Sequence, residues 1–167
     1  MGKFVSAVLV CLVGLLAGTA GARAQTSSDQ AAIQAQYKHF IDAFNKKDPD
    51  GVMAVYAPEV FVFDVVPPRQ YVGAAAYKKD WEDLFKTMSG PVTNTMVDLN
   101  ITVVGSVAYA HYIDDGTLDV AGSPPVHTVV RSTDVWRKEK GKWLIVQEHN
   151  SFPVDLATGK ADTLSKP

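Results

Sequence analysis

The sequence predicts an α+β domain in which three N-terminal helices pack on one face of a cone-shaped, curved, mostly antiparallel sheet. Apolar residues first recur at three- and four-residue intervals, and after Pro91 the texture becomes all strand, as far as Phe152. The last stretch, His127 to Phe152, consists of two runs rich in Val, Ile, Thr and Trp around the turn Lys138-Glu139-Lys140-Gly141, the mark of an antiparallel hairpin. Both faces of that hairpin carry apolar residues, so it belongs in the middle of a sheet. No internal repeat and no second domain is visible among the 167 residues.

Residues 1–24 read as an export signal. Lys3 supplies a minimal charged start, Phe4 to Leu16 is almost wholly apolar, and Ala22-Arg23-Ala24 is a small-x-small site with cleavage before Gln25. A retained anchor would need about 20 strongly apolar residues, and the glycines here weaken such a run. The expected location is therefore periplasmic or secreted. Cys11, the single cysteine, lies in this segment, so the mature chain has neither disulfides nor a thiol nucleophile. Losing Lys3 and Arg23 leaves fourteen basic against eighteen acidic residues, a formal charge of −4. That argues against nucleic acid and anionic membrane surfaces as partners.

The domain spans 25–153. Ile33, Tyr37, Phe40, Ile41 and Phe44 form the apolar stripe of a first helix, with Asp29 as its N-cap and Asp48-Pro49-Asp50 as its end. A short second helix follows and stops at Ala57-Pro58-Glu59. Val60 to Val66 is a strand with Val60, Val62 and Asp64 on one face. Gly73 opens a third helix carrying Tyr77, Trp81, Leu84, Phe85 and Met88, closed by Ser89-Gly90-Pro91. Strands follow at Val92–Val104 and Val107–Leu118, then the hairpin. In its second strand Trp143, Ile145, Gln147 and His149 alternate with Leu144, Val146 and Glu148. Residues 154–167 read as a polar tail.

Asp64 is the foremost candidate for chemistry. A lone carboxylate in an aromatic and aliphatic strand is costly if buried unpaired, and burial raises its pKa toward the range of a general base. Asp134 is a candidate hydrogen-bond donor, and His149 a general acid or base by type. Arg131 either clamps a ligand oxygen or pairs with Glu148 across the hairpin. His111 shares a face with Val107, Tyr109 and Ile113 and could line the cone, while Trp81 and Trp136 are core or pocket wall. The four histidines show no metal-binding spacing, and no phosphate loop or dinucleotide fingerprint occurs, so neither metal nor cofactor is expected.

The element order, YAPEVFVFDVVPPRQYVG before a Trp-containing helix, and RSTDVWRKEKGKWLIVQEHNS resemble the SnoaL-like and ketosteroid-isomerase-like branch of the nuclear transport factor 2-like superfamily. The resemblance covers about Ala31 to Phe152. It implies a cystatin-like roll, a homodimer formed through the sheet face away from the helices, and a small apolar carbonyl ligand in the cone. It also implies isomerase- or cyclase-like proton transfer with Asp64 as base and Asp134 as the protonated acid. Phe40 stands where the family's helix tyrosine is expected, with Tyr37 one turn away as its substitute. Gln147 stands where relatives often carry a second His. A protein that binds in the same cone without turnover is the alternative.

Overall fold

The computed structural model describes residues 25–164 in full and, over 5–24, the course of a helix; residues 1–4 and 165–167 are not described. The expected signal, with Cys11, therefore lies outside the fully described residues. Among the described residues no helix is long and apolar enough to cross a membrane. The chain forms α1 (Val5–Asn45), α2 (Pro49–Met53), β1 (Tyr56–Phe63), β2 (Tyr71–Val72) and α3 (Ala74–Thr87). Then come β3 (Met88–Val104), β4 (Val107–Val120), β5 (Val126–Glu139) and β6 (Lys142–Ser151), and last a short hairpin of β7 (Val154–Asp155) and β8 (Lys160–Ala161). The main sheet is ordered β2-β1-β6-β5-β4-β3, with β1 parallel to β6 and every other pair antiparallel. The α+β roll is thus as expected, with the β5–β6 hairpin central.

The helices close one face of the sheet. Ile33, Tyr37, Phe40 and Phe44 of α1 and Tyr77, Trp81 and Phe85 of α3 meet Val60, Val62, Ala108, Ala110, Tyr112, Trp136, Trp143 and Ile145 in one buried cluster. Ala108 is paired with Trp136, so a small side chain beside a large one lets the layers interdigitate. Phe40 and Phe44 meet Trp81 edge-on, with ring centroids 6.0 and 5.6 Å apart. Edge-to-face contacts of this kind add about 1 kcal/mol each beyond area burial.

Several boundaries differ from the sequence reading. Asp29 is inside α1 rather than capping it. Its buried carboxylate accepts from Lys138 Nζ at 2.6 Å and Trp143 Nε1 at 3.1 Å, pinning the helix to the hairpin, and the Lys138 contact holds its pKa down. The N-cap of α2 is Asp48, whose side chain accepts from Gly51 N. β1 begins at Tyr56, four residues early, and ends at Phe63, one residue before Asp64. Ser89-Gly90-Pro91 does not interrupt the chain: β3 starts at Met88 and bulges there against β4, where a Cβ on Gly90 would overlap the Asp119 carboxylate. The tail is not featureless, because it forms the β7–β8 hairpin and Val129 N donates to Thr163 O at 2.8 Å.

The decisive departure is a β-bulge in β6. Val135 pairs with Gln147 but Trp136 pairs with Ile145, so Val146 is an extra residue without a partner. A one-residue insertion inverts the faces of everything beyond it. Trp143 and Ile145 point inward as expected, but Glu148 then points inward too, 3% exposed, and His149 outward. The expected alternation, which put Glu148 opposite Trp143, fails for this reason. Deleting Val146 should remove the bulge yet keep Ile145, Gln147 and Glu148 opposite Trp136, Val135 and Asp134, so Glu148 stays inward. The expected result is a retained cooperative denaturant transition, whereas inserting one residue after Gln147 should turn Glu148 outward and abolish that transition, checked by circular dichroism and tryptophan fluorescence together.

Candidate active site

Between α3, the loop after β1 and the inner faces of β3–β6 lies a cavity of about 530 Å³. Phe40, Phe44, Trp81, Leu84, Leu118 and Val130 give it apolar walls; Asp64, Asp114, Glu148, Asn94, Asn150 and Tyr112 supply polar groups. A volume of this size suits a small organic ligand.

Asp64 follows β1 directly, at the start of the Val65-Val66-Pro67 segment that forms one edge of the cavity. Its Oδ1 accepts from Val65 N at 2.6 Å, and its Oδ2 lies 3.2 Å from the hydroxyl of Tyr77. Burial, with Glu148 nearby, pushes its pKa to about 6. The Tyr77 hydroxyl is also 2.7 Å from Glu148 Oε1. A phenol has one proton, so it donates to one carboxylate at a time and links the two in a short relay.

Glu148 is held by three donors: Tyr56 at 2.6 Å, Tyr77 at 2.7 Å and Asn150 Nδ2 at 2.8 Å. Burial raises its pKa, and these donors work against that rise. Directly across the hairpin stands Asp134, fully buried. Its Oδ2 accepts from Tyr37 at 2.7 Å and Tyr112 at 3.0 Å, while its Oδ1 has no partner among the described residues. Burial first, and Glu148 second, push the Asp134 pKa well above the carboxylate range. Two adjacent carboxyls in so dry a setting do not both ionise. Glu148, with three donors, keeps the charge and Asp134 keeps the proton.

A second arm leads from Glu148 to β4. Asn150 Oδ1 is 2.7 Å from Ser132 Oγ, which lies 3.1 Å from Asp114 Oδ2; Asn94 Nδ2 donates to Asp114 Oδ1 at 3.0 Å. Burial raises Asp114 to about 6 as well. One hydrogen-bonded chain thus runs Asp64–Tyr77–Glu148–Asn150–Ser132–Asp114 along the cavity.

The structure brings together Asp64, Phe40 and Trp81 at the cavity. Asp134, Tyr37 and Trp136 lie behind it, with Trp136 Nε1 donating to Tyr37 at 2.9 Å. Three expected site residues do not join them. His149 is outward because of the Val146 bulge and packs on Phe63, their rings 5.5 Å apart. Arg131 is exposed opposite Ser151, too far along the strand to pair with Glu148. His111 does share a face with Val107 and Tyr109, but that face is the outer one. Ala108, Ala110 and Tyr112 point inward instead, and Asp114 continues their parity to the cavity. Reading that second face of β4 would have found Tyr112 and Asp114. Nothing in the local sequence would have found Glu148.

The SnoaL-like domain family matches residues 33–155. A nuclear transport factor 2-like protein of unknown function from Pseudomonas putida KT2440 superposes with a TM-score of 0.77 at 26% identity, over 84% of this chain and 98% of the other. A nuclear transport factor 2-like superfamily protein from Salmonella enterica serovar Typhimurium LT2 gives 0.71 at 21%, over 82% and 99%. A ketosteroid isomerase-like protein from Erwinia carotovora atroseptica SCRI1043 gives 0.63 at 20%, over 72% and 93%. No curated protein matches the sequence.

A carboxyl whose folded-state pKa is raised binds more protons folded than unfolded, so its contribution to stability falls as pH rises toward about 6. Asp64→Asn should therefore raise unfolding free energy on the order of 1 kcal/mol near pH 7.5 and leave it unchanged near pH 4. Urea unfolding at the two pH values checks this.

Proposed function

The chain belongs to the SnoaL-like family, and on that premise we propose that it is a cofactor-free acid/base catalyst acting on a small apolar carbonyl compound. The single observation that carries this reading is Asp64: half-buried against the cavity, pushed to about 6, and coupled through Tyr77 to Glu148. Such a carboxylate is largely ionised at neutral pH yet basic enough to take a carbon-bound proton. In this reading Asp64 removes the proton from carbon and returns it to another. Tyr77 swings its hydroxyl toward whichever of Asp64 and Glu148 is ionised. Tyr112 lines the cavity and polarises the carbonyl oxygen. A protonated Asp134 can donate to the Tyr112 oxygen, which frees the phenol proton for the ligand. Asp134 itself is sealed off, so it acts through tyrosine rather than by touching the ligand.

That sealing also favours the second reading, a protein that binds without turnover, because Asp134, the acid that the resemblance assigns to the ligand oxygen, is not among the residues lining the cavity. Export by residues 1–24 and a homodimer belong to the proposal as well. The outer sheet face, with Val104, Val107 and Tyr109 exposed, supports the dimer. Native mass spectrometry reports the oligomeric mass, and a strict monomer removes that part.

The test is exchange. With a β,γ-unsaturated cyclic ketone in deuterated water, the wild-type chain should catalyse deuterium incorporation, followed by NMR. Asp64→Asn should slow it by about 10²–10⁴-fold while ketone affinity changes little. The wild-type rate should rise with pH through about 6 and then level, because the ionised form of Asp64 is the active one. Binding with no exchange at any pH would leave the non-catalytic reading.

A further inference from the structure

The cavity is apolar in its walls and acidic in its polar groups. Asp64, Asp80, Asp83, Asp114 and Glu148 line it, and no Lys, Arg or His among the described residues does. Asp83 is neutralised by Lys79 and Lys86, and Asp80 accepts from Tyr71 at 2.6 Å. That leaves Asp64, Glu148 and Asp114, on three different elements, with no cationic side chain among the lining residues to balance them. Burial raises the pKa of all three, and like charge adds to it at two of them: Glu148 and then Asp80 push Asp64 up, and Asp114 pushes Glu148 up. Beside Asp114, the buried Oδ1 of Asn94 has no donor among the described residues. Trp81 contributes its ring to the wall, and its indole N–H has no acceptor among the described residues.

We propose that this cavity selects ligands bearing a protonated amine on an apolar body, the ammonium lying among Asp114, Asn94 and Glu148 and the body against Trp81, Phe40 and Phe44. An ammonium offers the N–H donor that Asn94 Oδ1 lacks and the charge that three carboxylates lack. Aromatic faces attract cations further. A neutral apolar ligand would desolvate the carboxylates without compensation, and an anion would add to the repulsion. Trp81 Nε1 remains free to donate to a carbonyl oxygen. The inference rests on the cavity being the reactive site proposed above and names its substrate class as amino-carbonyl compounds.

Isothermal titration of the full chain with naphthylmethylamine, naphthylmethanol and naphthoate tests it. Near pH 8 the amine should bind about tenfold or more tighter than the alcohol, and naphthoate should not bind. Near pH 5 that preference should shrink to about threefold or less, since Asp64 and Asp114 take up protons below about 6. Asp114→Asn should lower the amine-to-alcohol ratio about tenfold near pH 8. Equal binding of amine and alcohol, a pH-independent ratio, naphthoate binding, or no amine binding up to about millimolar concentration overturns the proposal. The wild-type comparison stands even if the variant does not fold. Amine selectivity without ketone exchange supports this inference and removes the proton-transfer reading. Exchange without amine selectivity does the reverse.

Discussion

Asp134 and Glu148 face each other across the β5–β6 hairpin inside an aromatic core, and much of the structure answers the problem that this pair creates. Two carboxyls removed from water cost several kcal/mol each unless they are protonated or hydrogen-bonded. The fold supplies both remedies. Tyr37 comes from α1, Tyr112 from β4, Tyr56 from β1, Tyr77 from α3 and Asn150 from β6, so nearly every layer of the domain donates to one of the two. The helices are therefore held to the sheet by polar anchors as well as by apolar burial. Five tyrosine or amide donors converge only if helix, strand and hairpin are all correctly placed. A half-satisfied network of this kind is worse than an apolar core, so it specifies one packing.

The same network shapes the cavity. Glu148 belongs to both: its oxygens are spent on the core, yet its side chain borders the open space. From it, one arm through Tyr77 reaches Asp64 and another through Asn150 and Ser132 reaches Asp114. Charge at Glu148 is felt at Asp64, and charge at Asp114 is felt at Glu148, because the links are short. Asp64 and Asp114 both titrate near 6, so the cavity changes its charge across the pH range where proton transfer is easiest to reverse. This is a strained electrostatic arrangement by the standard of a folding core. Such arrangements are expected where a site needs them.

Much of the fold was legible in the residues. The stripes Ile33-Tyr37-Phe40-Phe44 and Tyr77-Trp81-Phe85 fall at helical spacing, and both pack as expected. The hairpin around Gly141 and its central place followed from β-branched runs with two apolar faces. Asp64 stood out because it is the one charge in an apolar strand, and it does border the cavity. Asp134 shared a face with Trp136, and both are buried. These are local signals, in which the period of side-chain direction and the cost of a buried charge depend on near neighbours alone.

What the sequence determined by itself is therefore the class of fold, the packing faces of the helices, and the identity of two carboxyls that the interior must accommodate. Only the tertiary structure decided which groups meet them. The Val146 bulge reverses the faces of β6, bringing Glu148 in and turning His149 out, and it arises from pairing with β5 and β1 rather than from any preference of residues 145–149. Likewise, which face of β4 is inner depends on the sheet curling toward α1 and α3, which places Tyr112 and Asp114 at the cavity and His111 outside. Period-two alternation says which residues go together. Long-range pairing and curvature say which way they point.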